Sequence, residues 1–332
     1  MANTISKAGE NSFKPKKISG SEAKLQKYGV FFVIPFIVIY CFFQLWPVIY
    51  TILLSFTDLK GFETKLHFTG LENYGRLVTD TYFWQSVGNT FIMWGMNFAP
   101  QLGIALLFAI WFTDPRMRIS GKSTFRALFY LPNLLMAAYV AVLFKSLFAY
   151  PNGPVNQFLY SLGVYNEVVR DDGTIVKEGL QFFRQPMTAR AIVAFIQWWL
   201  WCGQTLIMLM AGITSISPSL YESAVVDGAN QGQQTWYITL PLLRPMMLYI
   251  LITSLIGGMQ LFEIPFLLPT DMNGGPGNTM RTMVLYMYNI AFQGRNQYAY
   301  GAAIAMGVFV ITMIFSMFIY LFMQDRSDIG RK

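Results

Sequence analysis

The chain has 332 residues, of which 54% are hydrophobic and only 12% are charged, and its formal net charge is +7. Soluble domains carry about 25% charged residues, so this composition indicates a protein whose main solvent is lipid. One histidine, His67, and two cysteines, Cys41 and Cys202, argue against histidine-based triads, disulfide frameworks and metal sites rich in these residues.

The positive charge is concentrated before the first apolar stretch. Six of the first 28 residues are lysines, which predicts a cytoplasmic tail over residues 1–28 and gives no reason to expect a nucleic-acid partner. The apolar stretch that follows is too long for a signal peptide, and no small-residue cleavage pattern comes after it. We therefore expect this stretch to remain in the protein as a membrane anchor.

Six stretches are long and apolar enough to cross a bilayer, because a transmembrane helix needs about 20 mostly apolar residues. They span residues 29–56, 86–112, 127–150, 188–213, 245–268 and 301–323. The sequence therefore predicts an all-α integral membrane protein, with a transmembrane domain over residues 29–323 and a short cytoplasmic tail over residues 324–332.

Several of these stretches contain proline, which lacks the N–H group that a helix interior needs. Neighbouring helices in a membrane bundle can satisfy the freed carbonyl groups. Interruptions are predicted at Pro35, Pro47, Pro100 and Pro132. Two interpretations stay open for them: kinks that surround a cavity, or kinks that serve packing alone.

The orientation follows from the lysine and arginine residues, which favour the cytoplasmic side. With the N-terminus inside, most of them fall in the inner segments, namely the first tail, residues 116–126, Arg244 and residues 324–332. The outer segments are longer, so their charges count for less. Both termini are therefore expected in the cytoplasm.

One outer segment, an insertion over about residues 150–187, carries a hairpin signal. Asp172 and Gly173 lie between β-branched flanks in the run VVRDDGTIV, which is typical of a tight turn between two strands. Either this hairpin contacts a protein that delivers a solute, or it is a loop without a role in transport.

A short phosphate-loop fragment is present but incomplete. Gly121-Lys122-Ser123 has the ending of a phosphate-binding loop, yet that motif needs a glycine five positions earlier, where Arg116 stands. The backbone cradle for phosphates is therefore missing. If ATP drives this protein, another chain is expected to hydrolyse it.

The loop between the fourth and fifth stretches is more specific, and runs SPSLYESAVVDGANQGQQTWYITLPLLRP from Ser217. Ser217 followed by Pro218 is a helix start signal. Glu222 lies in the first turns, where the helix dipole favours a carboxylate, and Gly228 can end the helix in a left-handed conformation. We predict two short helices joined by a glycine turn, in a cytoplasmic loop over about residues 214–244.

The spacing in this loop resembles that of the permeases of binding-protein-dependent ABC importers. In that family Glu-Ala-Ala is separated by three residues from a Gly, and this Gly is separated by nine residues from Ile-x-Leu-Pro. This chain has Glu222-Ser223-Ala224, Gly228 and Ile238-Thr239-Leu240-Pro241 at the same spacing, with a small serine in place of one alanine. The resemblance implies a coupling helix that enters an ATPase subunit, and its contact residues would be Glu222, Ser223, Ala224, Asp227, Gly228, Ile238, Leu240 and Pro241.

Other motifs resemble the carbohydrate-uptake branch of this family, which includes maltose, oligosaccharide and glycerol-phosphate permeases. They are FTGLENY at residues 68–74, Asn89-Thr90, NGPVN at residues 152–156 and GGPGNT at residues 274–279. The resemblance implies a type I importer permease with six transmembrane helices in a bacterial plasma membrane. It also implies a second related permease, an external solute-binding protein and two ATPase subunits that bind ATP and Mg, with neither catalysis nor a cofactor in this chain.

Polar residues recur along one side of the fourth stretch. At 100° per residue, Gln197, Trp201, Gln204 and Met208 fall within one narrow arc of a helix. Amides hydrogen-bond hydroxyl groups, and an indole stacks on the apolar face of a sugar. The stripe is therefore a candidate part of a solute pathway, although glutamines in a span also hydrogen-bond neighbouring helices.

A second group lies in the fifth stretch, where Gly257, Gln260 and Glu263 share a wider helical arc. The glycine would allow a close approach. A carboxylate at the centre of a bilayer costs about 2.5–3.5 kcal/mol on insertion scales, so a role in transport is one explanation for Glu263. A position near the outer boundary, where that cost falls, is the other.

Two further classes of protein fit this sequence less well than an importer. An ion-coupled secondary transporter needs carboxylates at mid-membrane and paired broken helices, but Glu263 is the single acidic candidate and no inverted repeat is visible. A membrane-embedded enzyme would need histidine, cysteine or paired carboxylates inside the spans. The solute stays open among sugar monomers, oligosaccharides and compounds like glycerol phosphate.

Overall fold

The computed structural model describes residues 20–61, 66–114, 116–117, 121–169, 174–269, 271, 273–294 and 296–323. Most of the expected N-terminal tail, the C-terminal tail 324–332 and the Asp172-Gly173 turn lie outside the described residues. The chain divides into two units, residues 1–53 and residues 54–332. In the first unit, α1 (Gly20–Tyr40) continues through a π-helical turn (Cys41–Leu45) into α2 (Trp46–Leu54).

In the described part of the second unit, the regular elements are helices and one small hairpin. Its helices are α3 (Glu72–Thr79), α4 (Thr81–Thr113), α5 (Lys122–Tyr130), α6 (Ala137–Leu147), α7 (Pro154–Ser161), α8 (Pro186–Thr214), α9 (Pro218–Val226), α10 (Gln231–Gln234), α11 (Leu240–Met259), α12 (Glu263–Leu267), α13 (Met283–Phe292) and α14 (Tyr298–Met323). A 3-10 turn (Leu131–Leu134) joins α5 to the residues before α6, and a π-helical turn (Thr235–Thr239) joins α10 to α11.

Five helical stretches among the described residues are long and apolar enough to span a membrane. They are Phe31–Leu54, Thr81–Thr113, Pro186–Thr214, Gln231–Leu267 and Tyr298–Met323. A sixth span is possible if Lys122–Leu134 and Ala137–Leu147 are taken together, but this pair is bent by 92°. The predicted class, an all-α integral membrane protein with up to six spans, is confirmed.

The third predicted span, residues 127–150, is wrong as one straight helix. Pro132 cannot donate a backbone hydrogen bond, and the chain leaves helical geometry after it, with extended dihedral angles at Leu135 and Met136. Interruption was also predicted at Pro35 and Pro100, yet α1 and α4 continue through these prolines.

The fifth predicted span, residues 245–268, is also interrupted. Helix α11 ends at Met259, the chain leaves helical geometry at Phe262, and α12 begins at Glu263. Pro265 explains the break, because its ring would clash with the carbonyl group of Leu261 in a continuous helix. That carbonyl instead accepts a 2.6 Å hydrogen bond from the Thr282 hydroxyl group.

Helices α4 and α8 form the centre of the second unit and run parallel. The amide of Asn89 pairs with Arg190 near the start of both helices, and Gln101 donates a 2.7 Å hydrogen bond to Thr205 farther along. At Gly203 on α8 the backbone of α5 approaches so closely that an added Cβ would lie 2.0 Å from the Phe129 carbonyl oxygen.

The start of this helix pair holds the loop that follows α12. Asn89 donates to the carbonyl groups of Asn278 at 2.7 Å and Arg281 at 3.1 Å, and accepts a 2.6 Å hydrogen bond from Arg190. Arg190 also donates to the carbonyl group of Thr279 at 3.0 Å. We call these contacts the Asn89 clasp. The clasp joins two motifs of the sequence, Asn89-Thr90 and residues 274–279.

The opposite end of α4 meets the segment between α8 and α11. Asp114, directly after α4, accepts a hydrogen bond from Gln231 of α10. Residues 89 and 114 of a straight helix are about 37 Å apart at 1.5 Å per residue. The helices α9 and α10 therefore lie at the end of the bundle opposite the Asn89 clasp.

The predicted hairpin is present. Strand β1 (Asn166–Val169) pairs antiparallel with β2 (Ile175–Glu178), with Asn166 opposite Glu178 and Val169 opposite Ile175. The paired residues include the β-branched flanks of the predicted turn, since Val168 lies opposite Val176 and Val169 opposite Ile175.

Asp80 caps the N-terminus of α4 and collects four donors. Its carboxylate accepts from the backbone N–H groups of Tyr82 at 2.9 Å and Phe83 at 3.3 Å, and from the hydroxyl groups of Tyr286 and Tyr300. Burial by itself raises the pKa of the Asp80 carboxyl group, but these hydrogen bonds stabilise its charged form and hold the pKa below its ordinary value.

We expect the protein to lose stability in acid partly through Asp80. A carboxyl group whose pKa is lowered by folding stabilises the fold above its unfolded pKa, and this contribution is lost as the pH falls through the folded value. Melting temperatures of the detergent-solubilised protein between about pH 6 and about pH 3 should show a shallower pH dependence for Asp80→Asn than for the exposed control Asp227→Asn. Equal slopes would contradict this account.

Removal of the Asn89 side chain should destabilise the second unit strongly. Asn89→Ala deletes two donated hydrogen bonds at a site that is 2% exposed and leaves Arg190 without this acceptor, so we expect a loss of at least about 2 kcal/mol in the free energy of unfolding.

Gln85→Ala is the matched control, because Gln85 makes a single 3.0 Å bond to Gly277 of the same loop from an exposed position. Its expected loss is below about 1 kcal/mol. Denaturant titration of the solubilised protein measures both values, and equal losses would show that the clasp does not hold the loop.

Candidate functional site

A polar cavity of about 220 Å³ lies among α4, α8 and α11. Gln197, Trp201, Gln204 and Met208 of α8 all line it, so the predicted stripe on the fourth span is one continuous wall. These residues are in the middle of a helix that runs from Pro186 to Thr214. Whether the stripe contacts a solute stays a prediction at this point.

The fifth-span group lines the same cavity, though not as the sequence predicted. Gly257, Gln260 and Glu263 were placed on one helical arc, but the helix ends at Met259 and Glu263 belongs to a separate short helix. The break after α11 turns the chain, so the three residues border the cavity together without sharing one helix.

The close approach also lies one residue away from the expected position. A Cβ added at Gly257 meets nothing within 4 Å, whereas at Gly258 it would lie 2.3 Å from the indole ring of Trp94. The indole N–H of Trp94 donates to Ser254 at 3.2 Å. Gly258 therefore lets Trp94 pack against α11 at the wall of the cavity.

Two cavity residues on α4 were missed by the sequence analysis. Asn97 and Gln101 line the cavity, and both are nine-tenths or more buried. The oxygen atoms Oδ1 of Asn97 and Oε1 of Gln101 have no hydrogen-bond partner among the described residues. An unsatisfied buried polar group costs about 1–3 kcal/mol, so such atoms need an explanation. Two amides four residues apart in an apolar helix are the sequence pattern that could have identified these residues.

The bend between α5 and α6 brings a further element to this region. Ala137, at the start of α6, lines the cavity, and Asn133 of the preceding 3-10 turn donates to Gln204 at 3.4 Å. A straight third span would not place these residues beside α8 in the same way. The proline-induced bend therefore helps to form the cavity, as one of the two interpretations of the prolines predicted.

The cavity is equipped for hydrogen bonding. Its polar lining consists of amides, hydroxyl groups and one indole, with Glu263 as the one acidic or basic side chain among the described lining residues. Within the described part of the chain, no group of three His, Cys, Asp or Glu side chains could hold a metal ion. This chemistry suits reversible recognition of a polar molecule.

The segment between α8 and α11 forms a second candidate site. As predicted, it contains two short helices joined by a glycine turn, with Gly228 at φ +77°. Asn230 and Gln233 cap α10 reciprocally. A cleft of about 390 Å³ separates this segment from the end of α4, and both Glu222 and Asp114 line it.

The predicted contact residues of this segment differ in exposure. Glu222, Ser223, Asp227, Gly228 and Pro241 are exposed, while the remaining three, Ala224, Ile238 and Leu240, are half-buried. The structure therefore brings most of them to the surface at one end of the bundle.

Three large apolar side chains of the same segment are also exposed, and the sequence analysis did not single them out. Val226 is 87% exposed, Trp236 is 70% exposed and Tyr237 is 79% exposed. Apolar side chains that protrude from a turn at the end of a bundle are typical of a surface that another protein covers.

Alanine at Gly258 should disturb the cavity wall, and alanine at Gly257 should not. The added methyl group at position 258 would overlap the ring of Trp94, which must then move. We expect Gly258→Ala to lose about 1–3 kcal/mol of stability, and Gly257→Ala to stay within about 1 kcal/mol of the parent protein. Thermal unfolding of the solubilised protein, with tryptophan fluorescence as the signal, measures both. A larger loss for Gly257→Ala would overturn this assignment.

Comparisons with known proteins agree with this geometry. No protein-family model matches the chain. The lactose transport system permease protein LacF of Rhizobium radiobacter is 30% identical over 311 residues, which cover 92% of this chain and 99% of that protein. The multiple sugar-binding transport system permease protein MsmF of Streptococcus mutans is 31% identical over 300 residues, covering 88% of this chain and 94% of that protein.

Solved structures show the same fold. A chain of a bacterial ABC transporter that imports the acidic polysaccharide alginate superposes with a TM-score of 0.74 at 22% identity, covering 91% of this chain and 97% of that chain. A second structure, of the alginate transporter in complex with its pentasaccharide-bound periplasmic protein, gives a TM-score of 0.73 and 23% identity over 90% of this chain and 94% of that chain. On the identity to LacF and MsmF over most of its length, the chain belongs to the ABC-transporter permease family that includes these sugar-transport proteins, and it is a multi-pass membrane protein.

Proposed function

We propose that this chain is the membrane-spanning permease subunit of an ATP-driven importer of a sugar, most simply an oligosaccharide. The observation that carries this proposal is the polar cavity in the middle of α4 and α8, in a chain of the ABC permease family. Relatives named for the transport of lactose, multiple sugars and arabinooligosaccharides support a sugar as the solute.

The solute passes through this cavity in the proposed mechanism. Trp201 offers an aromatic face for the apolar side of a sugar ring, and Gln197, Gln204 and Gln260 offer amides for its hydroxyl groups. Gly257 leaves open space beside them, and Glu263 adds a carboxylate acceptor at the end of the cavity formed by α12.

The segment 217–241 couples this cavity to ATP hydrolysis in partner subunits. Two ATPase subunits bind ATP and Mg, and this chain supplies contact residues without taking part in the chemistry. The contact residues in this proposal are Glu222, Ser223, Ala224, Asp227, Gly228, Ile238, Leu240 and Pro241. Protruding Val226 and Tyr237 extend the same surface, and their exposure supports a partner there.

Alternating access follows if the ATPase subunits move this segment. Closure of the ATPase subunits on ATP displaces α9 and α10, which are bonded through Gln231 to the end of α4. Since α4 and α8 pack together along the cavity, such a displacement changes the wall that holds the solute. ATP binding thereby shifts the population between states that open to opposite sides.

The remaining partners are a second, related permease and an external solute-binding protein. The importer lies in a bacterial plasma membrane with both termini of this chain in the cytoplasm, an orientation supported by the distribution of Lys and Arg. The segment 217–241 then faces the ATPase subunits, and the Asn89 clasp and the β1–β2 hairpin lie toward the solute-binding protein.

A charge placed on the exposed apolar surface should uncouple the partners. Val226 is 87% exposed, so Val226→Asp should leave the fold of the permease intact while it places a carboxylate in an apolar contact. We expect at least about a tenfold loss of ATPase subunits that co-purify with the tagged permease, and a similar loss of solute-stimulated ATP hydrolysis in proteoliposomes.

Leu162→Asp is the matched control, since Leu162 is a 63% exposed apolar residue directly after α7, outside this segment. It should retain the ATPase subunits. If Val226→Asp retains them equally, or if sugar uptake proceeds from an ion gradient without ATP, the proposed function is wrong.

A further inference from the structure

Two buried oxygen atoms in the cavity lack a donor. Asn97 is 7% exposed and Gln101 is 4% exposed, and both lie on the side of α4 that lines the cavity. Neither Oδ1 of Asn97 nor Oε1 of Gln101 has a hydrogen-bond partner among the described residues. Buried polar atoms are almost always satisfied, so these two atoms point to a donor that arrives with a ligand.

The orientation of the Gln101 amide follows from its other contacts. Its Nε2 atom donates to the Thr205 hydroxyl group at 2.7 Å and to the carbonyl group of Trp201 at 3.5 Å. The carbonyl group accepts only, so the nitrogen must face α8. The oxygen atom of Gln101 is therefore the part of the amide left for a ligand.

The charge around these acceptors is one-sided. Glu263 is the one acidic or basic residue among the described residues that line the cavity. Helix α8 contributes one cation, Arg190, and the Asn89 clasp holds it on Asn89 and the carbonyl group of Thr279. The described lining thus offers a ligand neutral donors and acceptors together with one acidic side chain, and it offers an anion no cation to pair with.

The shared fold does not decide the charge of the solute. The two solved structures described above belong to an importer of an acidic polysaccharide. The lining of the cavity discriminates between neutral and anionic sugars. Hydroxyl groups of a neutral sugar can donate to Asn97, Gln101 and Glu263, whereas a carboxylate or phosphate group would find no cation there and would lie near Glu263.

We propose that Asn97 and Gln101 are specificity-determining residues which accept hydrogen bonds from the hydroxyl groups of an uncharged sugar, and that Glu263 excludes sugars bearing a carboxylate or phosphate group. This inference rests on the proposed sugar-import function. The α4 pair joins the residues of α8 and α11 that were proposed above to contact the solute. Together with Glu263, this pair favours neutral sugars over uronates and sugar phosphates.

The test uses the complete importer in proteoliposomes with its ATPase subunits and solute-binding protein. ATP-driven uptake is compared for neutral sugars (lactose, arabinobiose and maltotriose) and for anionic sugars (digalacturonate and glucose 6-phosphate). The affinity of the isolated solute-binding protein for each sugar is measured in parallel. Each uptake rate is then corrected for this affinity, so that the remaining difference reflects the permease. The parent importer should take up at least one neutral sugar and no anionic sugar at a comparable corrected rate.

The α4 pair is tested with leucine variants, which remove the side-chain amides and with them the acceptors. Asn97→Leu and Gln101→Leu should each raise the KM for the transported neutral sugar about tenfold, the size expected when one sugar hydroxyl group loses its buried acceptor. Gln85→Leu, an amide on the same helix outside the cavity, is the control. If one α4 variant fails to assemble, the other decides, and an unchanged KM in an assembled variant overturns the role of the pair.

The exclusion of anions is tested with Glu263→Gln. This variant should raise the uptake of digalacturonate relative to the neutral sugar about tenfold, while Glu72→Gln, which removes an exposed carboxylate at the start of α3, should leave the ratio unchanged. A parent importer that takes up only anionic sugars would overturn this inference and leave the proposed function standing. An importer that takes up none of these sugars with ATP would contradict both.

Discussion

A carbonyl group that leaves a helix inside a membrane has no water to bond, so a side chain must satisfy it. This constraint governs the region after α11. The break before Pro265 frees the carbonyl group of Leu261, and the Thr282 hydroxyl group donates a hydrogen bond to it. At the end of α12, Lys145 of α6 donates to the carbonyl groups of Leu267 at 3.3 Å and Pro269 at 3.2 Å. Asn89 and Arg190 satisfy three further carbonyl groups in the following loop.

Because these bonds satisfy the freed carbonyl groups, the chain can leave helical geometry between α11 and α12, beside the cavity. If α11 continued as a straight helix through Glu263, Gln260 and Glu263 would lie farther along the axis of that helix. The break instead folds α12 against α6, and Ile264 of α12 packs with Val140 and Ala141 of α6 in one buried cluster. A polar cavity near mid-membrane and an irregular backbone beside it are therefore linked, because the loop side chains that satisfy the backbone also hold α12 in place.

The two ends of the bundle differ in the same physical terms. At the clasp end, side-chain amides and one guanidinium group bind backbone carbonyls of the loop that follows α12. At the other end, Val226 at the end of α9 and Trp236 and Tyr237 in the π-helical turn after α10 are exposed, and a bond between Gln231 and Asp114 joins α10 to α4. A rigid connection to the cavity and an uncovered apolar tip are the properties needed to transmit a movement from a partner.

The sequence by itself determined the class of the protein, the positions of most spans, the two short helices around Gly228 and the polar stripe from Gln197 to Gln204. Each of these depends on local properties, namely hydropathy over about 20 residues, helix capping signals and the 100° helical repeat. Only the tertiary structure decided the bend after Pro132, the break before Pro265 and the continuation of helices through Pro35 and Pro100. The same proline chemistry leads to opposite outcomes, which the residue type by itself does not distinguish. At the break before Pro265, the Thr282 hydroxyl group of the chain beyond α12 takes the freed carbonyl group of Leu261. For the same reason Asn97, Gln101 and Gly258 emerged only in the structure, since their importance depends on which residues of other helices lie opposite them.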